Sequence, residues 1–232
     1  TSSYDYRISK YLDSFSKDQN DLPDNININV KKDVELRYGE NPHQSAGFYT
    51  SSEDKAFWSQ LQGKKLSYNN YTDIESALSI VQDFKRPSCS IIKHANPCGF
   101  AVGDNVSEAF DRAVSCDPVS YFGGIVGFNR IVDVDIAKKL EKPFLECIVS
   151  PGYTEESLLL LSKKKNLRLI KIDEQYSAPG FSIKNALGGY LLQNKDSAVL
   201  DLELAEIPTK IKPDKDTLNA MKLGWRLVKY VK

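Results

Sequence analysis

The chain has 232 residues, and its 31 Lys and Arg balance 31 Asp and Glu to a formal net charge of zero. That balance excludes a role driven by bulk charge, such as nonspecific nucleic-acid binding or attachment to a membrane surface, while leaving room for a local anion pocket. The length suits one large domain or two small ones, with a sizeable core. Cys89, Cys98, Cys116 and Cys147 form no Cys-x-x-Cys pair, so neither a zinc ribbon nor a disulfide framework is expected, and a reducing compartment fits.

Residues 3–16 are predicted as a helix, because Ile8, Tyr11, Leu12 and Phe15 share one face and Ser2 or Ser3 can cap it. The polar stretch 17–32, with Pro23, reads as a linker. A lone helix ahead of a linker has nothing nearby to bury its face, and it reads as the tail of something upstream. Polar and turn residues crowd Glu35 to Gln44, and Ala46–Tyr49 is a candidate strand. The polar loop 63–70 leads to a helix. Thr72 and Glu75 are expected to form its capping box, with Ile74, Ala77, Leu78 and Val81 on its apolar face.

Ser88–Lys93 is a strand whose continuous apolar character predicts burial on both faces, as in a parallel or mixed sheet. Asn96-Pro97-Cys98-Gly99 is read as the turn that ends it. Helices follow at 107–116, at 133–142 and from Thr154 through Leu161 to the Lys163–Lys165 cluster, and strands at 125–129, 145–149 and 167–172. Residues 181–193 read as extended or irregular around Gly188-Gly189. The closing helix, 214–232, is expected to bury Leu218, Met221, Trp225 and Val228. Strands alternating with helices from 88 to 172 predict an α/β sandwich with a mostly parallel or mixed sheet. That last helix ends without Gly or Pro, so both ends read as cut and a fragment of a longer polypeptide is expected.

Lys93-His94 is the leading candidate for chemistry. Histidine is the side chain best suited to take a proton near neutral pH, and an adjacent cation keeps it neutral. Adjacent strand side chains point to opposite faces. Both can reach one pocket only if the backbone leaves β geometry at or just before His94. The plain alternative is a surface Lys and a satisfied core His. His94 and Cys98 also raise the question of a zinc deaminase element. However, Asn96 stands where its glutamate would be and Ala101 where its second cysteine would be, so ligands and acid are both missing.

Arg37-Tyr38-Gly39 can bind phosphate or carboxylate, or be an exposed turn. His43 is as readily structural as functional. Phe122-Gly123-Gly124 can offer backbone amides to an anion, although Gly pairs are ordinary turn elements. Glu146 lies in an apolar strand, where a carboxylate is costly unless paired or beside a crevice.

Taken together, Arg37 to Gln44, Lys65 to Asn70, Lys93 to Gly99 and Phe122 to Ile125 occur in one order that resembles the bifunctional AICAR transformylase/IMP cyclohydrolase family of purine biosynthesis. The resemblance covers nearly the whole chain. It implies a cytidine-deaminase-like three-layer α/β/α sandwich with a mixed, mostly parallel sheet and no zinc. It also implies formyl transfer from 10-formyltetrahydrofolate to the 5-amino group of AICAR. His94 would be the general base and Lys93 the stabiliser of the transition state. Arg37, Tyr38, Gly123 and Glu146 would hold the nucleotide, supported by Asn96, Asn70 and Phe122.

The resemblance further implies a cytoplasmic homodimer, with neither nucleic acid nor membrane as partner. Residues 1–17 would be a remnant of the cyclohydrolase domain and 18–34 a linker. Residues 35–212 would be the first half of the transformylase domain and 213–232 the start of its second half. That missing half should supply most folate contacts, so the chain alone is expected to be inactive. The competing reading is a noncatalytic purine-nucleotide-binding module of the same fold.

Overall fold

The computed structural model describes residues 2–13, 22–23, 25–51, 57–173, 175–176, 180–199 and 205–232. In chain order the elements begin with α1 (Ser2–Asp13), β1 (Val30–Leu36), β2 (Ala46–Ser51), β3 (Trp58–Gln62), α2 (Tyr68–Gln82), β4 (Ser88–Lys93), β5 (Asn96–Val102) and α3 (Val106–Cys116). They continue with β6 (Ile125–Phe128), α4 (Val134–Leu140), β7 (Cys147–Ser150), α5 (Glu155–Leu161), β8 (Arg168–Ile172), β9 (Phe181–Ala186), β10 (Gly189–Asn194) and α6 (Lys215–Val228). Phe15 and the side chains of Ser2 and Ser3 lie outside the described residues. The last residues of the expected linker, from Val30, form β1.

A central sheet of six strands runs in the order β3-β8-β7-β6-β4-β5. Only β6–β7 and β7–β8 are parallel, while β3–β8, β4–β6 and β4–β5 are antiparallel. The expectation of a mostly parallel sheet is therefore corrected to a mixed sheet that is mostly antiparallel. The cause is visible at β4. It is buried on both faces as predicted, but helices on the two faces bury it whichever way its neighbours run. On one face Ile91, Val126, Phe128, Ile148 and Leu169 pack with Ala109 and Phe110 of α3, Ile136 of α4 and Leu161 of α5. On the other, Ile92, Ile125, Val149 and Ile170 meet Ile74, Ala77 and Ile80 of α2. The result is a three-layer α/β/α arrangement. Among the described residues no helix is long and apolar enough to cross a membrane.

Local chemistry sets the element ends. α2 starts earlier than expected, because Ser67 and Asn70 form the capping box. The Asn70 N–H donates to Ser67 Oγ at 3.2 Å, and the Ser67 N–H donates to Asn70 Oδ1 at 3.1 Å. The predicted box at Thr72 and Glu75 falls inside the helix, and Thr72 Oγ1 instead donates to the Asn69 carbonyl. Residues 181–193 are a regular hairpin, β9–β10, turned through Leu187 and Gly188 at φ of 49° and 79°.

The closing helix docks on the stripe opposite to the one expected. Leu223, Leu227 and Tyr230 pack against the α2 side of the core, whereas Met221, Trp225 and Val228 are exposed. Charge selects the docked side. Arg226 Nη2 and Lys229 Nζ each lie 2.9 Å from the carboxylate of Asp83, the C-cap of α2. Burial pushes that carboxyl up, but Arg226 and Lys229 outweigh it and hold it down at about 2. A depressed carboxylate contributes stability above its unfolded value, near 3.8, and loses it as pH falls toward about 2. Asp83→Asn is accordingly expected to cost about 1–3 kcal/mol at pH 7, because two cations lose their partner. In urea unfolding the gap to the unsubstituted chain should close between pH 4 and 2. A gap independent of pH would show that the ion pairs do not hold α6.

Candidate functional site

Because β4 runs against β6, the C-terminal end of β4 meets the N-terminal ends of β6, β7 and β8. Ile92 pairs with Ile125, Ile125 with Cys147, and Cys147 with Arg168. At this sheet end Lys93 pairs with Asn96. His94 and Ala95 between them form a two-residue turn at φ of 54° and 61°. Positive φ at both central residues marks a type I′ hairpin turn. The backbone thus leaves β geometry at His94, as the shared-pocket argument required. Asn96 to Gly99, expected as the turn, run instead along β5. Pro97 still biases Asn96 toward extended geometry. It is tolerated there because β5 is an edge strand and the pairing shifts register beside it, between Ile91 and Ile92.

Lys93 Nζ donates to the Phe122 carbonyl at 3.0 Å, which fixes the ammonium at the sheet end and brings the Phe122-Gly123-Gly124 loop to it. Gly123 takes φ of 73°. Its N–H donates to the Phe144 carbonyl, and that of Gly124 to Tyr121, so neither amide is open to an anion. What Gly123 offers a ligand is close approach to a backbone without a side chain. The rings of Phe122 and Phe144, 5.3 Å apart and both exposed, stand beside it.

Glu146 lies one residue before β7, rather than inside a strand as predicted, and its side chain is 42% exposed. Its Oε2 accepts from Asn70 Nδ2 at 3.0 Å and lies 3.5 Å from Arg168 Nη1. Two partners therefore answer the cost of a carboxylate beside the core, and Asn70 is also half of the α2 capping box with Ser67. Asn96 Nδ2 donates to the His94 carbonyl at 3.3 Å. Sequence reasoning missed two charged residues here. Arg168 opens β8, and only the β7–β8 register puts it beside Glu146. Asp73, in the second turn of α2, accepts from the Ala95 N–H at 2.7 Å.

Arg37 and Tyr38 stand apart. They follow β1, and Arg37 lies 5.6 Å from the Tyr38 ring. The β1–β2 ribbon is anchored on α2 by Phe48, stacked 4.3 Å from Tyr71. Among the described residues no hydrogen bond or ion pair joins Arg37, Tyr38 or His43 to the sheet-end cluster. Cys98 turns its thiol to the Ile91 carbonyl at 3.5 Å. Among the described residues no group of three or more His, Cys, Asp or Glu could hold a metal ion.

The sheet end therefore combines an exposed imidazole, a fixed ammonium and a held carboxylate. A sequence model of the AICARFT/IMPCHase bienzyme family matches residues 1–232. The chain belongs to that family. It is similar to the "Bifunctional purine biosynthesis protein PurH" of Bacillus cereus (strain B4264), 42% identical over 237 residues that cover 100% of this chain and 46% of that protein. It is also similar to the protein of the same name from Halalkalibacterium halodurans, 44% identical over 238 residues with the same coverage. This member of the AICARFT/IMPCHase family thus spans about half the length of the curated relatives it matches. A putative formate dehydrogenase accessory protein from Desulfotalea psychrophila shares 14% identity at a TM-score of 0.33, covering 40% of this chain and 45% of that one. That likeness is too slight to carry an argument. Three of the four motif stretches that carry the family resemblance meet at the sheet end: Ser67 to Asn70, Lys93 to Asn96, and Phe122 to Gly124. The fourth lies on the β1–β2 ribbon.

Proposed function

We propose that this chain is the first half of an AICAR transformylase. It would contribute the base and the oxyanion-stabilising cation for formyl transfer from 10-formyltetrahydrofolate to the 5-amino group of AICAR. The observation that carries the reading is the His94 turn set directly beside the anchored Lys93. The amine is conjugated with its ring and is a poor nucleophile. As its nitrogen bonds to the formyl carbon, the His94 imidazole takes the proton. The carbonyl oxygen becomes an oxyanion opposite the Lys93 ammonium. Collapse restores the carbonyl and breaks the bond from the formyl carbon to the folate nitrogen, which leaves with the proton relayed from His94. Glu146, held by Asn70 and Arg168, is placed to accept from the nucleotide, with Gly123 giving backbone approach and Phe122 an aromatic face. Arg37 and Tyr38 would bind from the ribbon.

In this reading the fold is the cytidine-deaminase-like form of the sandwich, working without zinc. Residues 35–212 are the first transformylase half, 213–232 the start of the second, and 1–17, after which 18–34 is a linker, a remnant of the cyclohydrolase part that closes the ring to IMP. The complete enzyme is a cytoplasmic homodimer. The test is formyl transfer by a polypeptide of the relatives' full length, beside the 232-residue chain alone. Turnover by the first, and at least about a hundredfold less by the second, is expected for a site split between halves. Robust turnover by the chain alone would sink the split site. AICAR binding with no turnover by the longer polypeptide would favour a noncatalytic module. Stoichiometric zinc in either would overturn the assignment.

A further inference from the structure

The turn that carries His94 has one residue, Ala95, that suits its geometry poorly. Type I′ turns need φ above zero at both central positions and are dominated by Asn-Gly and its kin. Here the pair is His-Ala, at φ of 54° and 61°. A left-handed alanine gains no local side-chain hydrogen bond and has a Cβ to accommodate, so such a position is held only when its surroundings over-determine it. The hairpin register also leaves a question of hydrogen bonding. Lys93 and Asn96 pair across the turn, and the Ala95 N–H needs a partner from elsewhere.

Asp73 supplies that partner, through Oδ1 at 2.7 Å. It reaches across from α2, which starts at Tyr68 and is itself pinned at the sheet end by its Ser67–Asn70 box and by Asn70 on Glu146. A rigid, capped helix therefore clamps the turn at the residue next to His94. We propose that Asp73 is a positioning residue for His94, holding the left-handed His94-Ala95 turn by its hydrogen bond to the Ala95 amide and so setting where the imidazole stands relative to Lys93. The inference deepens the transformylase reading and rests on it for the consequence in catalysis.

The surroundings of Asp73 fit a carboxylate built into the site rather than a surface acid. Burial pushes its carboxyl above the ordinary value, the Ala95 N–H and the charges of His94 and Lys232 pull it back, and Glu146 pushes it up again. His94, Glu146 and Asp73 thus share one electrostatic neighbourhood. An ordinary helix-surface aspartate would be indifferent to both.

The hydrogen bond, rather than the charge, is the claim, and that choice separates two substitutions. Asp73→Ala removes the acceptor. Asp73→Asn keeps an oxygen in the same place and removes the charge. Amide hydrogen exchange by NMR in the 232-residue chain reads the turn directly. Asp73→Ala should speed exchange at Ala95 by about tenfold or more, the equivalent of roughly 1.4 kcal/mol of lost protection, while Asp73→Asn should stay close to the parent. In the full-length polypeptide, Asp73→Ala should lower kcat by about 10–100-fold, with the AICAR KM little changed, since a displaced base weakens the transition state more than the ground state. Asp73→Asn should recover most of that loss.

An Ala95 amide indifferent to Asp73→Ala overturns the clamp. Equal losses of kcat in both variants overturn it too, by making charge the cause. A freed Ala95 with unchanged kcat overturns positioning while leaving the turn contact. If the unsubstituted full-length protein transfers no formyl group, the transformylase reading fails, and the exchange result still decides whether Asp73 holds the turn.

Discussion

His94→Ala in a polypeptide of the relatives' full length should lower formyl-transfer turnover by about 10²–10⁴-fold, the usual contribution of a positioned general base. Alanine changes two things at once, because position 94 sits at φ of 54° and loses its imidazole. His94→Asn separates them. Asparagine accepts left-handed geometry more readily than most residues, so it should keep the turn and still lack a base. Both variants are expected to fall by similar factors in kcat, with the AICAR KM within about threefold, since the proton is taken only in the transition state. A loss much under tenfold in either would argue against His94 as the base. A large loss for alanine, with near-parent activity for asparagine, would show that the turn matters and the imidazole does not.

The alternation of strands and helices was legible, because burial imposes a period on each element whatever its partners. Strand direction was not. β4 reads as apolar throughout because α2 covers one face and α3 the other, and that burial is the same beside an antiparallel neighbour. The direction decides what the site is made of. With β4 running against β6, residues from the end of one strand meet residues from the starts of three others. Read along β4 alone, the sequence singles out Lys93 and His94 as a candidate pair but gives no reason to seek Glu146 or Arg168 at the same place.

α6 shows a related limit. Its sequence carries apolar residues on two sides, and the larger set, with Met221, Trp225 and Val228, looked like the buried one. The side that docks is chosen by Arg226 and Lys229 meeting Asp83, a residue more than a hundred positions away. Such choices depend on a partner's position, which periodicity does not contain. Asp73 was hidden for the same reason, since nothing near it in sequence marks it as the acceptor for Ala95.

Gly99→Ala should damage the core beside this site, costing about 3 kcal/mol, or roughly 6–12 °C in Tm for a domain of this size. The glycine reads in sequence as part of a turn, but it is paired with Ile91 inside the β4–β5 ladder, and its φ is not left-handed. Its purpose is space. A Cβ there would lie well inside van der Waals contact distance of the Ala113 carbonyl oxygen and 3.1 Å from the Ala113 carbonyl carbon. That oxygen belongs to the backbone of α3, so no side-chain rotation relieves the clash. The helix as a whole must retreat, and Ala109 and Ala113, both buried, would lose their packing. Gly224→Ala provides the contrast. Gly224 lies within α6 with no heavy atom within 4 Å of an added Cβ, so alanine should stabilise there by about 0.5–1 kcal/mol through helix propensity alone. Urea unfolding of the two variants, at unchanged slope, would read both signs. A cost under about 1 kcal/mol for Gly99→Ala would mean that α3 is free to shift on β5. In that event the hairpin bearing His94, which β5 forms with β4, would have a looser footing than the close approach of α3 implies.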